Sequence, residues 1–147
     1  MKVFSHSIEL KGAGKSQSWE ALEHFARHPD LLLPGCEGSE VHEFTSEDGN
    51  RWLRRVKNFG TVSVEDHVFL QPDGHLEIHV AASREWPRSW QEIDIEETAE
   101  GVRFRFTYSQ ETPQSFETPR ILQLRNEAYR NKDQGLVRLI AQKLSAA

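Results

Sequence analysis

The chain has 147 residues, a length that suits one domain around a single core. Eighteen basic against 23 acidic residues leave a net charge of −5, which disfavours nucleic acid or an anionic membrane as main partner, since both are bound through positive surface. No apolar run approaches a membrane span, the opening Met1-Lys2-Val3-Phe4-Ser5-His6 lacks a signal peptide's long apolar stretch, and a lone cysteine, Cys36, permits no intrachain disulfide. These features point to one domain over residues 1–147 in a reducing cytoplasm.

In chain order, Lys2 to Leu10 alternates with Phe4, His6, Ile8 and Leu10 on one face, the pattern of a strand. Gly12-Ala13-Gly14 breaks it. Ser16 or Ser18 then caps a helix carrying Trp19, Leu22, Phe25 and Ala26 at helical spacing, which ends before Pro29. Asp30 to Leu33 reads as one further helical turn. Gly12-Ala13-Gly14-Lys15-Ser16 looks like the end of a phosphate-binding loop, but the glycine required five residues before Gly14 is Glu9, whose carboxylate repels phosphate. His24 and His28 lie one helical turn apart, yet no third ligand is placed and they fall off the apolar stripe, so no metal is expected. Cys36 precedes Glu37, and a thiolate beside a carboxylate makes a poor nucleophile.

A sheet follows over Ser39–Ser46, Arg51–Asn58, Val62–Leu70 and His75–Arg84, with turn signals at Asp48-Gly49, Phe59-Gly60-Thr61 and Pro72-Asp73-Gly74. Trp86-Pro87 interrupts it, and Trp90–Glu97 with Val102–Ser109 forms another hairpin. Within the third strand of this series, Val62, Val64, Val68 and Leu70 share a face with an acid, Asp66. If Asp48-Gly49 is a two-residue loop, Glu43 lies opposite Arg54; if the next corner has three residues, Arg54 also lies opposite Asp66. Glu43, Arg54 and Asp66 then form an inward row beside Trp52, with Cβ atoms ~5 Å apart, within ion-pair reach. Two carboxylates and one guanidinium leave one negative charge, so the acid less well paired with Arg54 is expected to have a raised pKa. A slip of one residue turns these charges to solvent instead.

From Thr118, with Pro119 at the first helical position, a long helix runs towards Leu144. Leu122, Tyr129, Leu136, Ile140 and Leu144 form one stripe that also contains Asp133, flanked by Ile121 and Leu139. Laid across a strongly curved sheet, such a helix leaves space for a small-molecule pocket. His6, Tyr108, Tyr129 and Asp133 would supply its polar tips, and Trp52, Phe104 and Phe106 its apolar lining; each of these also suits a satisfied core residue.

Several short runs carry a likeness to a known family: Trp19-Glu20-Ala21-Leu22, Arg54-Arg55, Val64-Glu65-Asp66-His67-Val68, Ile93-Asp94-Ile95-Glu96-Glu97, the strand Val102 to Tyr108, and Glu127-Ala128-Tyr129 with Asp133. On these the chain resembles the helix-grip superfamily that includes START domains, the birch-pollen allergen and polyketide aromatase/cyclases, and within it the small AtaL-like branch. The resemblance implies an α+β helix-grip fold: a strongly curved seven-stranded antiparallel sheet wrapped around a long C-terminal helix, with one or two short helices after the first strand. It also implies an internal cavity for a small apolar or amphipathic ligand. It carries no reaction, because the superfamily includes carriers, sensors and enzymes. The expected function is therefore small-molecule binding without a cofactor, with Glu43, Trp52, Arg54, Asp66, Phe104, Phe106, Tyr108, Tyr129, Asp133 and His6 at the ligand. The alternative is an enzyme of the aromatase/cyclase type, using Asp66 or Glu43 as general base and Arg54 to stabilise enolate charge.

Overall fold

The computed structural model describes residues 1–84, 86–112 and 118–146. Strand β1 (Lys2–Lys11) is followed by helix α1 (Lys15–Arg27) and a short 3-10 turn (Pro29–Leu31). Six strands come next: β2 (Gly38–Thr45), β3 (Arg51–Asn58), β4 (Ser63–Gln71), β5 (His75–Val80), β6 (Ser89–Glu97) and β7 (Gly101–Gln110). Helix α2 (Pro119–Ser145) closes the chain. All strands join one antiparallel sheet in the order β1-β7-β6-β5-β4-β3-β2, so that β1 returns beside β7 and β2 forms the far edge. This is the helix-grip architecture.

Local chemistry accounts for most of the elements. The Thr118 side chain accepts a hydrogen bond from the Ile121 amide at 3.2 Å, and Pro119 occupies the first helical position of α2. Helix α1 begins earlier than expected, at Lys15 after Gly14, so Ser16 and Ser18 lie inside it and neither caps it. Strand β5 stops at Val80, short of the expected Arg84, because the chain turns at Ser83, whose amide bonds to the Trp86 carbonyl.

The inward faces of the strands and the two helices share one core, with Leu53, Val68, Phe104, Phe106 and Ile140 completely buried. Leu136, Val137 and Ile140 of α2 pack into it as the helical spacing requires, whereas Ile121 stays exposed. Burying a leucine-sized side chain stabilises the fold by about 1.5–3 kcal/mol, so this shared layer holds helix to sheet.

The strand register departs from expectation at two turns. The Ser46 amide bonds to the Asn50 carbonyl, leaving a three-residue loop, Glu47-Asp48-Gly49, with Gly49 at φ 86°. Asp48 stabilises it by accepting from the Asn50 amide at 3.0 Å. At the next corner Phe59 pairs with Val62, leaving only Gly60-Thr61 between them and Gly60 at φ 80°. One loop is a residue longer than expected and the other a residue shorter. Glu43 therefore lies opposite Leu53, and Arg54 lies between His42 and His67, while Val41, Arg55 and Asp66 line up across three strands. With a side-chain period of two, this places Arg54 on the outer face and Arg55 on the inner one.

A buried charge cluster between sheet and helix

A cavity of about 250 Å³ lies between the inner face of the sheet, α1 and α2. Its apolar wall includes Leu22 and Phe25 from α1, Leu76 and Ile78 from β5, and Leu136 from α2. Its polar side carries Arg55 and Lys57 from β3, Asp66 from β4, Gln91 from β6, Tyr108 from β7, and Tyr129, Lys132 and Asp133 from α2.

Alternation places the β3 groups. Leu53, Arg55 and Lys57 are successive inward positions, and Arg55 faces Asp66 directly on β4. The guanidinium donates from Nε to Oδ1 at 2.7 Å and from Nη2 to Oδ2 at 2.6 Å, a bidentate pair. Its Nη1 donates to the Ala26 carbonyl at 2.9 Å, in the last turn of α1. Lys57 Nζ reaches Asp66 Oδ2 at 2.8 Å. Burial pushes the Asp66 pKa up, but hydrogen bonding and charge from Arg55, reinforced by Lys57, outweigh it and hold the carboxyl below its ordinary range.

Asp133 forms the second centre. Tyr108 Oη lies 2.8 Å from both carboxylate oxygens, His6 Nε2 lies 2.7 Å from Oδ2, and Gln91 Nε2 lies 3.5 Å from Oδ1. Burial raises the Asp133 pKa despite opposing contributions from Lys132, His6 and Tyr108. The Tyr108 phenol is also pushed strongly upward, by burial and then by the Asp133 charge, so it stays a donor. Its ring stacks on Tyr129 with centroids 3.8 Å apart and planes within 6°. Lys132 Nζ donates to Gln91 Oε1 at 3.3 Å and sits 5.0 Å from the Tyr108 ring centre. Burial, with repulsion from Lys57 and Arg55, outweighs attraction to Asp133 and Asp66 and lowers the Lys132 pKa.

Of the expected site residues, Asp66, Tyr108, Tyr129 and Asp133 line the cavity. His6 stands behind Asp133, stacked on Phe4 and Phe106, while Phe104 and Phe106 are fully buried core residues. Arg54 is a correction: it pairs with Glu65 at 2.9 Å on the outer face. Trp52 is another, stacked outside on Phe44 with ring centres 4.5 Å apart and packed near His67. Glu43 keeps the inner-face parity but lies at the sheet's edge, 41% exposed, where it binds Arg27 at 2.6 Å and Arg51 at 3.5 Å. The raised pKa expected in the Arg54 row does not occur. Asp66 is lowered, and Glu43 is lowered by its hydrogen bond to Arg27. Sequence reasoning missed Arg55, Lys57, Gln91 and Lys132. The run Leu53-x-Arg55-x-Lys57 carried the signal, since alternate positions share a face whatever the register.

Outside the sheet, a second, open groove of about 770 Å³ touches His67, Phe69, Glu77, His79 and Arg88. It is more open than the inner cavity, and of the buried ionisable groups named above it reaches only Asp66. Also on the outer face, one nitrogen of His75 and one oxygen each of Glu77 and Glu92 lie within 4.8 Å of one another. Asp94 holds His75 Nδ1 at 2.6 Å, Glu77 lies 2.8 Å from Nε2, and despite partial burial these acids raise the His75 pKa. These acids thus favour the protonated form of His75. Among the described residues no helix is long and apolar enough to cross a membrane.

By sequence, residues 13–145 match the profile of the family described as acetylaranotin biosynthesis cluster protein L, AtaL. No curated protein matches the chain significantly. Solved structures share the fold at low identity. The di-domain ARO/CYC StfQ from the steffimycin biosynthetic pathway superposes with a TM-score of 0.70 at 8% identity, over 100% of this chain and 53% of StfQ, so the chain spans about half of that protein. A START superfamily protein from Mycobacterium smegmatis gives a TM-score of 0.65 at 12% identity, over 99% of both chains. Ara h 8.0201 gives 0.62 at 10% identity, over 98% of this chain and 100% of its own.

Proposed function

The chain belongs to the AtaL family, and from that premise we propose that it is a small-molecule binding protein whose occupant lies between the sheet and α2. One observation carries the reading: a cavity with an apolar wall whose opposite side holds buried, paired ionisable groups. Apolar contacts would supply affinity and the charged groups orientation. The assignment of START and ARO/CYC names to structures of the same fold agrees with it. The neutral dye phenylnaphthylamine tests it, because its fluorescence rises on entering an apolar site. Saturable binding at one site per chain, lost on filling the cavity with Leu76→Trp, is expected. Absence of saturable binding by parent protein free of any retained ligand would remove the proposal.

A second reading, acid–base catalysis, is favoured by Asp133, a buried carboxyl with a raised pKa beside Tyr108 and His6. It moves the candidate base away from Asp66, which two cations hold ionised, and from Glu43 at the rim. Turnover of an aromatic-precursor panel, abolished by Asp133→Asn with the fold intact, would support it. Turnover unchanged in that variant would exclude Asp133.

A further inference from the structure

Resting on that binding reading, we propose that the occupant is an organic acid, an amphiphile whose carboxylate or enolate oxygen lies between Lys57 and Lys132 while its apolar body faces Leu22, Phe25 and Leu76.

The cavity's own charges do not cancel. Among the described residues lining it, the ionisable groups other than tyrosine are Arg55, Lys57 and Lys132 against Asp66 and Asp133. Counted as formal charges, three cations against two carboxylates leave an excess of one positive charge. The sequence alone had implied the opposite sign, because it placed one guanidinium with two acids.

The excess is local. Asp66 has two cationic neighbours, Arg55 and Lys57, and neutralises one. Lys132 is formally balanced by its neighbour Asp133, but that carboxylate already receives Tyr108, His6 and Gln91. An uncompensated ion in such a place is disfavoured by its lost hydration. An anionic oxygen supplies the missing charge; a neutral ligand leaves the imbalance and removes water from it as well.

Donor capacity agrees with the charge. Each ammonium carries three N–H donors. One from Lys57 goes to Asp66 and one from Lys132 to Gln91. Arg55, Lys57 and Lys132 all line the one cavity, which places the cations around a common space. The acceptors Asp66 and Asp133 are the groups already engaged, so the site's remaining capacity is for an acceptor, as an acid's oxygen is.

Two dyes of one skeleton test this. Phenylnaphthylamine is neutral; anilinonaphthalene sulfonate adds an anionic group. Parent protein is expected to bind the sulfonate at least about tenfold more tightly, a preference that persists at high salt because buried charges are poorly screened. Lys57→Met and Lys132→Met should each abolish the preference, the sulfonate then binding no more tightly than phenylnaphthylamine to the same variant. Lys11→Met, on the exposed surface, should keep it. Decanoate should displace phenylnaphthylamine at lower concentration than decanol. Equal affinity for the two dyes, or a preference that survives in a folded Lys57→Met or Lys132→Met variant, would overturn the acid proposal and leave the cavity reading standing. If neither dye binds, the cavity reading itself fails. Circular dichroism shows which variants fold, and one folded lysine variant is enough to decide between these outcomes.

Discussion

Asp66 and Asp133 face the same cavity and are buried to the same degree, with 2% and 1% of their surface exposed, yet their pKa values move in opposite directions. Both are well supplied with hydrogen bonds. The difference lies in the donors: Asp66 is held by two permanent cations, whereas Asp133 is held by a phenol, an amide and an imidazole. Burial raises both pKa values; two cations hydrogen-bonded to the carboxylate reverse the sign at Asp66, whereas the charge of Lys132 alone does not reverse it at Asp133. Counting hydrogen bonds therefore does not reveal which buried acid is strained. The charge of their donors does.

Substitutions can break this comparison. The largest expected effect is that of Asp66→Asn, which leaves Arg55 and Lys57 buried without a counter-charge and should cost about 3–5 kcal/mol in urea unfolding. A cost close to that of a surface substitution would show that the pair is not buried in solution. Next comes Tyr108→Phe, which removes the donor shared by both Asp133 oxygens and should cost about 1–3 kcal/mol. Asp133→Asn is expected to cost under about 1 kcal/mol at neutral pH, since it also removes an ion that burial disfavours. If it costs as much as Asp66→Asn, the contrast between the two sites is wrong.

Acidity sharpens the same comparison. Asp66 has a folded pKa below its unfolded value of 3.8, so the stability it contributes is present above pH 3.8 and lost as pH falls through the folded value. Asp133 has a folded pKa above 3.8, so its contribution is complete below 3.8 and lost as pH rises through the folded value. Unfolding measured across that range should lose its acid limb in Asp66→Asn and its rising-pH loss in Asp133→Asn. Identical slopes in the two variants would contradict the opposite shifts. The smallest effect belongs to Arg54→Ala on the outer face, where the urea midpoint should stay at the parent value.

Much of this was legible in the sequence, and what was not has a definite cause. The alternation of β4 and β7 and the stripe of α2 are periodic over many residues, so each places its own buried face, Asp66 and Asp133 included. Register instead depends on one or two residues in a turn. Asp48-Gly49 serves equally as a two-residue loop and as the end of a three-residue one, and the Asp48 side chain with Gly49 at positive φ selects the latter. Because arginines stand at both 54 and 55, one residue of error exchanged an inner guanidinium for an outer one. Lys132 beside Asp133 had no such signal, since adjacent helical residues diverge by about 100° and only tertiary packing brings both to the cavity.

The bond from Arg55 to the Ala26 carbonyl joins the sheet's buried ion pair to helix α1 through a main-chain oxygen. Side-chain identity at position 26 does not enter it, so exchange for another small residue would leave the joint whole, and related sequences need show no trace of it there. Adding or deleting one residue in the helix, by contrast, would swing that oxygen away. The joint is inherited as spacing.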